Sequence, residues 1–181
     1  RPVHGHLRWW GVVNTGTLCE TLVIYNLNVG DSMEGSIVTC ISVGVYNHAL
    51  TRGKQYSVVE HKDNKYRIVG DHSKRIWVSK SHFETGEVFV LQMKDWDFDD
   101  DITKCNLVEV TITFNNGTRR WCIITTPEKL VEHFKDTKMD PPGLYMNHLI
   151  IMKTLEKSDV ENTLKYLDSQ GELENATKPL M

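Results

Sequence analysis

Two stretches, Tyr56-Ser57-Val58-Val59-Glu60 and Tyr66-Arg67-Ile68-Val69, held apart by Lys62-Asp63-Asn64-Lys65, decide how this chain folds. Both runs are short and rich in β-branched and aromatic residues, while Asp and Asn accept the dihedrals of a tight connection, so the pattern predicts a hairpin. Working outward, Ile37-Val38-Thr39-Cys40-Ile41-Ser42-Val43 precedes it, Arg75-Ile76-Trp77-Val78 follows across Gly70-Asp71-His72-Ser73, and Val88-Phe89-Val90-Leu91 supplies a fifth run. Five short strands between residues 35 and 93 predict a small barrel, because closure removes the unpaired edges of an isolated sheet.

Within that region Leu50-Thr51-Arg52-Gly53-Lys54-Gln55-Tyr56-Ser57-Val58, Tyr66-Arg67-Ile68-Val69-Gly70-Asp71 and Trp77-Val78-Ser79-Lys80-Ser81-His82-Phe83 stand in order. Together they resemble the small bacterial SH3-like (Tudor-like) barrel, which opens on Leu-x-x-Gly-Lys-x-Tyr, continues through a Tyr-x-Ile-x-x-Asp hairpin and closes near a Trp…Phe segment. The resemblance implies a binding role in which aromatic residues beside the loops read a peptide or a nucleic acid, making Tyr46, Tyr56, Trp77 and Phe83 candidates. Large rings in a small barrel otherwise serve as its core, and Trp77 is the expected exception.

Lys94-Asp95-Trp96-Asp97-Phe98-Asp99-Asp100-Asp101 follows, with five carboxylates crowded around two rings. Asp95, Asp97 and Asp99 imitate the first ligands of an EF-hand loop, but Asp100 stands where that loop needs Gly and Asn106 where it needs Glu, so no metal is expected. Residues 94–106 read either as an acidic docking surface anchored by Trp96 or Phe98, or as a solvated connector whose rings tuck into an interface.

From 107 onward the order reads β-β-α-β-α. Val108-Glu109-Val110-Thr111-Ile112-Thr113-Phe114 alternates cleanly, and Asn116-Gly117 signals a hairpin. A two-residue loop there would set Phe114 opposite Arg119, Ile112 opposite Trp121 and Val110 opposite Ile123, with Trp121 on the apolar face. Thr125 or Thr126 then caps a helix opening at Pro127, with Leu130, Val131 and Phe134 along one side. Leu144 to Met152 is β-prone, Ser158-Asp159-Val160-Glu161 reads as a capping box, Gly171 ends the second helix, and Glu172 to Met181 reads as a loosely held tail. The expected fold is therefore mainly β with α+β: a leader (1–34), an SH3-like barrel (35–93), the acidic connector (94–106) and a ββαβα domain (107–181).

The leader stands apart. No lysine precedes Lys54, and the first methionine is Met33, so residues 1–32 read either as sequence upstream of the biological start or as extra strands. Neither a targeting signal nor an apolar run long enough for a membrane span is visible. Over all 181 residues, 21 Lys and Arg against 24 Asp and Glu leave a formal charge of -3, which gives no global attraction to nucleic acid or anionic membrane. Cys19, Cys40, Cys105 and Cys122 are widely spaced without a Cys-x-x-Cys pair, which reads as free thiols in a cytoplasmic setting.

Catalytic signatures are missing: there is no P-loop, no dinucleotide fingerprint, no Gly-x-Ser-x-Gly elbow and no His-Glu-x-x-His. Cys122 with His133 or His148 is the one nucleophile pairing to consider. His4 and His6 could flank a metal, and Asn116-Gly117-Thr118 and Asn175-Ala176-Thr177 fit the glycosylation pattern of a secreted chain. The expectation is a bacterial-type, non-catalytic protein without cofactor, which binds a basic protein partner as an inhibitor or immunity-like protein would. Its contact residues are Trp77, Trp96, Phe98, Asp95, Asp97, Asp99, Asp100 and Asp101. The alternative is RNA or single-stranded nucleic acid bound through the barrel by Lys54, Arg67, Lys74, Arg75 and Lys80.

Overall fold

Strand-forming residues in the first half pair by alternation. In a computed structural model describing residues 35–136 and 143–180, β1 (Ile37–Cys40), β2 (Gln55–Lys62), β3 (Lys65–Val69), β4 (Arg75–Ser79) and β5 (Phe83–Thr85) form an antiparallel sheet in the order β4-β3-β2-β1-β5. The readings made for the leader, including His4, His6, Cys19 and Met33, lie outside the described residues. Tyr56 and Val58 of β2, Tyr66 and Ile68 of β3 and Val78 of β4 alternate into one core with Val38, Cys40, Leu50 and Phe83. Apolar residues at every second position bury one sheet face and leave the other wet. Lys62 pairs with Lys65, so Asp63 and Asn64 form the turn, with Asp63 at a φ of 50°. A bulge between Val58 and Glu60 bends β2.

The fifth strand differs from the expectation. Val88-Phe89-Val90-Leu91 is irregular, and Phe83–Thr85 pairs with β1 instead. The ladder stops at Gly86, whose N–H bonds Ile37 O and whose φ is 83°. Beyond it Val90 is buried while Phe89 is 70% exposed.

The second sheet is built from β6 (Met93–Phe98), β7 (Val108–Phe114), β8 (Arg119–Thr125) and β10 (Lys178–Pro179), in the order β10-β8-β7-β6, with β9 (Leu149–Ile151) parallel to β8. Between these strands run α1 (Pro127–Asp136) and α2 (Lys157–Gln170). Among the described residues the molecule is thus mainly β with two α-helices. Thr126 caps α1 by accepting from Lys129 N–H at 3.3 Å. Gly171 closes α2 in the left-handed conformation. α2 begins one residue before Ser158, with Glu156 at the cap position, so the expected capping box is not made. Within Leu144–Met152 only Leu149–Ile151 is strand.

The β7–β8 hairpin corrects the expected register by one residue. Phe114 N–H bonds Thr118 O, so Asn115, Asn116 and Gly117 form a three-residue loop with Gly117 at a φ of 83°. Ile112 consequently faces Arg120, Thr111 faces Trp121 and Val110 faces Cys122. A one-residue slip exchanges the faces of a strand. Cys122 and Ile124 therefore enter the core with Trp96, Val110, Ile112, Phe114, Val160 and Leu164, and Trp121 leaves it.

The stretch Glu172 to Leu180 is held, contrary to expectation. Leu173 and Thr177 are buried, β10 pairs with β8, and Arg120 donates to Thr177 Oγ1 at 2.9 Å and to Thr177 O at 2.7 Å. Both sheets belong to one compact unit. Val43 N–H donates to Ser169 O across them, and Gln170 Nε2 to Gly44 O.

Candidate binding surfaces

β6 carries Asp95 and Asp97, and Asp99, Asp100 and Asp101 follow directly after it. Trp96 faces Ile112 and Phe98 faces Val110, so both rings turn toward the core: Trp96 is buried, and half-buried Phe98 meets it edge-on at 5.0 Å. Trp96 is thereby withdrawn from the surface, while Phe98 keeps a part-exposed edge. Asp95 and Asp97 pair with Thr113 and Thr111 and so emerge on the opposite face. Asp99 N–H bonds Glu109 O, which sets Asp99 beside Glu109, and Asp99 Oδ2 accepts from Thr111 Oγ1 at 2.7 Å.

Asp100 and Asp101 do other work. Asp100 Oδ2 accepts from Glu109 N–H at 2.9 Å. Asp101 Oδ1 accepts from Thr103 Oγ1 and N–H, and its carboxylate pairs with Lys104 at 3.0 Å. The Thr103 hydrogen bonds, with Lys104, hold the Asp101 carboxyl below the ordinary 3.8. These two residues shape the β6–β7 connection. Because β6 is extended, Asp95, Asp97 and Asp99 line up along one sheet face rather than converging on a point, as a cation-wrapping loop requires.

What remains is a stripe of Asp95, Asp97, Asp99 and Glu109. Trp121, half-buried, occupies the same face next to Thr111 and meets the His148 ring edge-on at 6.2 Å. Sequence reasoning did not find Trp121 as a surface ring, since its face depends on whether the hairpin loop has two residues or three.

On the first sheet, Arg67 pairs with Trp77, Lys65 with Ser79 and Val69 with Arg75. Those residues share the face opposite Tyr66, Ile68 and Val78. Trp77 is half-buried, and the Arg67 guanidinium lies 5.7 Å from its ring centroid while bonding Glu60 at 2.9 Å. A cleft of about 420 Å³ opens between Trp77, Ser79 and the β2–β3 turn, Lys62 to Lys65.

The other candidates scatter. Tyr56 and Phe83 are core residues, and Tyr46 packs against that core. Lys54 is committed to Asp71 at 2.6 Å, and Lys80 lies 5.1 Å from the Tyr66 ring centroid. Lys74 and Arg75 are exposed. Burial pushes the Asp71 carboxyl up, yet hydrogen bonds from Lys54, Thr51 and Tyr56 outweigh it and leave it below 3.8.

Cys122 is fully buried, and desolvation pushes its thiol up to about 12, the reverse of nucleophile activation. No hydrogen bond joins it to His133 or His148 among the described residues; the His148 ring instead meets Trp121. Cys40, Cys105 and Cys122 are free thiols. Among the described residues no helix is long and apolar enough to cross a membrane. No protein-family model and no curated protein matches the chain.

Proposed function

We propose that this is a non-catalytic binding protein that docks a basic protein partner on the acidic face of β6 and β7. The observation that carries the reading is the common face of Asp95, Asp97, Asp99 and Glu109, with Trp121 alongside. Arg119 stands in the row of Asp95, across Thr113, and Lys157 and Lys165 of α2 line a cleft with Asp95 and Asp97, so cations flank the stripe on its Asp95 side. Crowded carboxylates repel one another, and a partner's Lys or Arg relieves that repulsion while the field speeds encounter. A half-buried tryptophan beside them supplies apolar contact area that charge alone lacks. Inhibition of a basic effector is the kind of task such a face suits, and the free thiols fit a reducing cytoplasmic setting.

In this reading the first sheet is an SH3-like barrel. Its support is the order β4-β3-β2-β1-β5 together with the 3-10 turn Lys80–His82 between β4 and β5. The barrel and the second sheet act as one scaffold that keeps the acidic face rigid.

The test is fluorescence anisotropy with a labelled Lys/Arg-rich peptide as the basic probe. Binding should weaken with salt and fall by about tenfold or more when Asp95, Asp97 and Asp99 become Asn and Glu109 becomes Gln, as desolvated charge pairs are lost. Equal affinity of the neutralised protein overturns the proposal.

A further inference from the structure

We infer that the Trp77 cleft on the first sheet is a second, separate site, and that its ligand is single-stranded nucleic acid. It lies on a different sheet from the acidic face, carries the opposite charge and does not depend on that reading.

The inference starts from register. Lys62 pairs with Lys65, Lys65 with Ser79, Arg67 with Trp77 and Val69 with Arg75, so the outer face of β2, β3 and β4 gathers Lys62, Lys65, Arg67 and Arg75 around one indole. The carboxylates nearby are Glu60, neutralised by Arg67, and Asp63 in the turn. Among the described residues Lys62, Lys65 and Arg75 make no salt bridge, although the chain as a whole is acidic. Uncompensated cations concentrated around an aromatic ring are a local field for an anion, set against the net charge of the molecule.

The ring narrows the ligand class. A run of carboxylates alone meets the cations but leaves the flat apolar platform uncovered. A nucleotide offers both halves in one repeating unit, a π-face for stacking and a phosphate for the lysines. Arg67, tethered by Glu60, braces the Trp77 ring, which also forms a wall of the cleft. The space, about 420 Å³, falls in the ~300–1,000 Å³ range of small-ligand clefts and so admits a base. The paired bases of a duplex cannot reach such a ring without being flipped out, so single strands are preferred.

The experiment uses the full chain and a labelled twelve-nucleotide oligothymidylate, with a duplex and an oligoglutamate of matched charge as comparisons, read by anisotropy across a salt series. The oligothymidylate should bind more tightly than either comparison. Trp77→Leu should weaken it by about tenfold or more, the contribution expected of one stacked base. Lys62→Gln, Lys65→Gln and Arg75→Gln together change exposed side chains and leave the core intact. They should flatten the plot of log affinity against log salt by about two, at ~0.7 for each phosphate no longer neutralised. The proposal falls if oligoglutamate binds as tightly as the oligonucleotide, if the triple variant keeps the wild-type salt slope, or if no oligothymidylate binds at low salt.

Discussion

Arg52 and Asp168, 116 positions apart, form an ion pair of 3.1 Å. The same guanidinium donates to Ile41 O at 2.8 Å and Leu91 O at 2.5 Å, while Asp168 also accepts from the Met93 backbone. One side chain thereby ties the loop before β2 to the approach of β6 and to the last turn of α2. Burial pushes the Asp168 carboxyl up, and the Met93 and Arg52 contacts only partly offset it. Removing Arg52 strands this carboxylate. Arg52→Ala should cost about 3 kcal/mol, the scale of a broken buried pair, in urea unfolding. A loss below about 1 kcal/mol, the range of surface pairs, would show the tie to be cosmetic.

Asp71 predicts an acid limb of stability. Its folded carboxyl titrates below the ordinary 3.8, so between the two values the unfolded chain binds more protons. Its stabilisation is complete above 3.8 and is lost as pH falls through the folded value. Asp101 acts in the same direction. Asp71→Asn should therefore flatten part of the decline in the urea midpoint below about pH 4. An unchanged acid limb refutes the assignment.

Gly117 separates dihedral strain from crowding. A Cβ there would meet nothing within 4 Å, yet φ is 83°. Gly117→Ala should cost about 1 kcal/mol through the left-handed conformation alone, and Gly117→Asn should recover most of it. Thermal melts of the two variants decide the matter; equal midpoints would mean that the loop adopts another turn.

Trp96, between Asp95 and Asp97, is buried, whereas Phe89, between Val88 and Val90, is exposed, the reverse of what their neighbours suggest. Trp96→Ala should destabilise by about 3–5 kcal/mol because it empties part of the second core. Phe89, 70% exposed, should tolerate Ser within about 0.5 kcal/mol. Matching unfolding losses for the two would contradict the burial described.

Thiol labelling offers an independent reading of the cores. Desolvation pushes Cys40 up to about 11 and Cys122 to about 12, and both are fully buried, while Cys105 is half-buried. A charged thiol reagent at about pH 8 should modify Cys105 well before Cys40 or Cys122, located by mass spectrometry. Early modification of Cys122 would place it at the surface.

The sequence made the first sheet legible where turn chemistry and alternation agreed. Asp63-Asn64 and Gly70 to Ser73 mark turns, and Tyr56, Val58, Tyr66 and Ile68 alternate between them. It misled where one residue decides the outcome. Asn115 joining Asn116 and Gly117 in the loop moves Trp121 from one face to the other, and no local propensity separates the two hairpins. β6 reads as a connector because an edge strand carries charge to discourage mispairing, and Asp95, Asp97 and Lys94 look like loop residues. The last strand, two residues long, is held by Arg120 from β8, a tie that periodicity does not reveal. Trp77 was visible as a surface ring, but the company of Lys62 and Lys65 required the β2–β3 register.

Register gathers Asp95, Asp97 and Glu109 on one face of the second sheet and Lys65, Arg67 and Arg75 on one face of the first, so a formal charge of -3 conceals two local poles. Such a molecule should cling to positively and negatively charged resins alike at low ionic strength, and salt should release it from both.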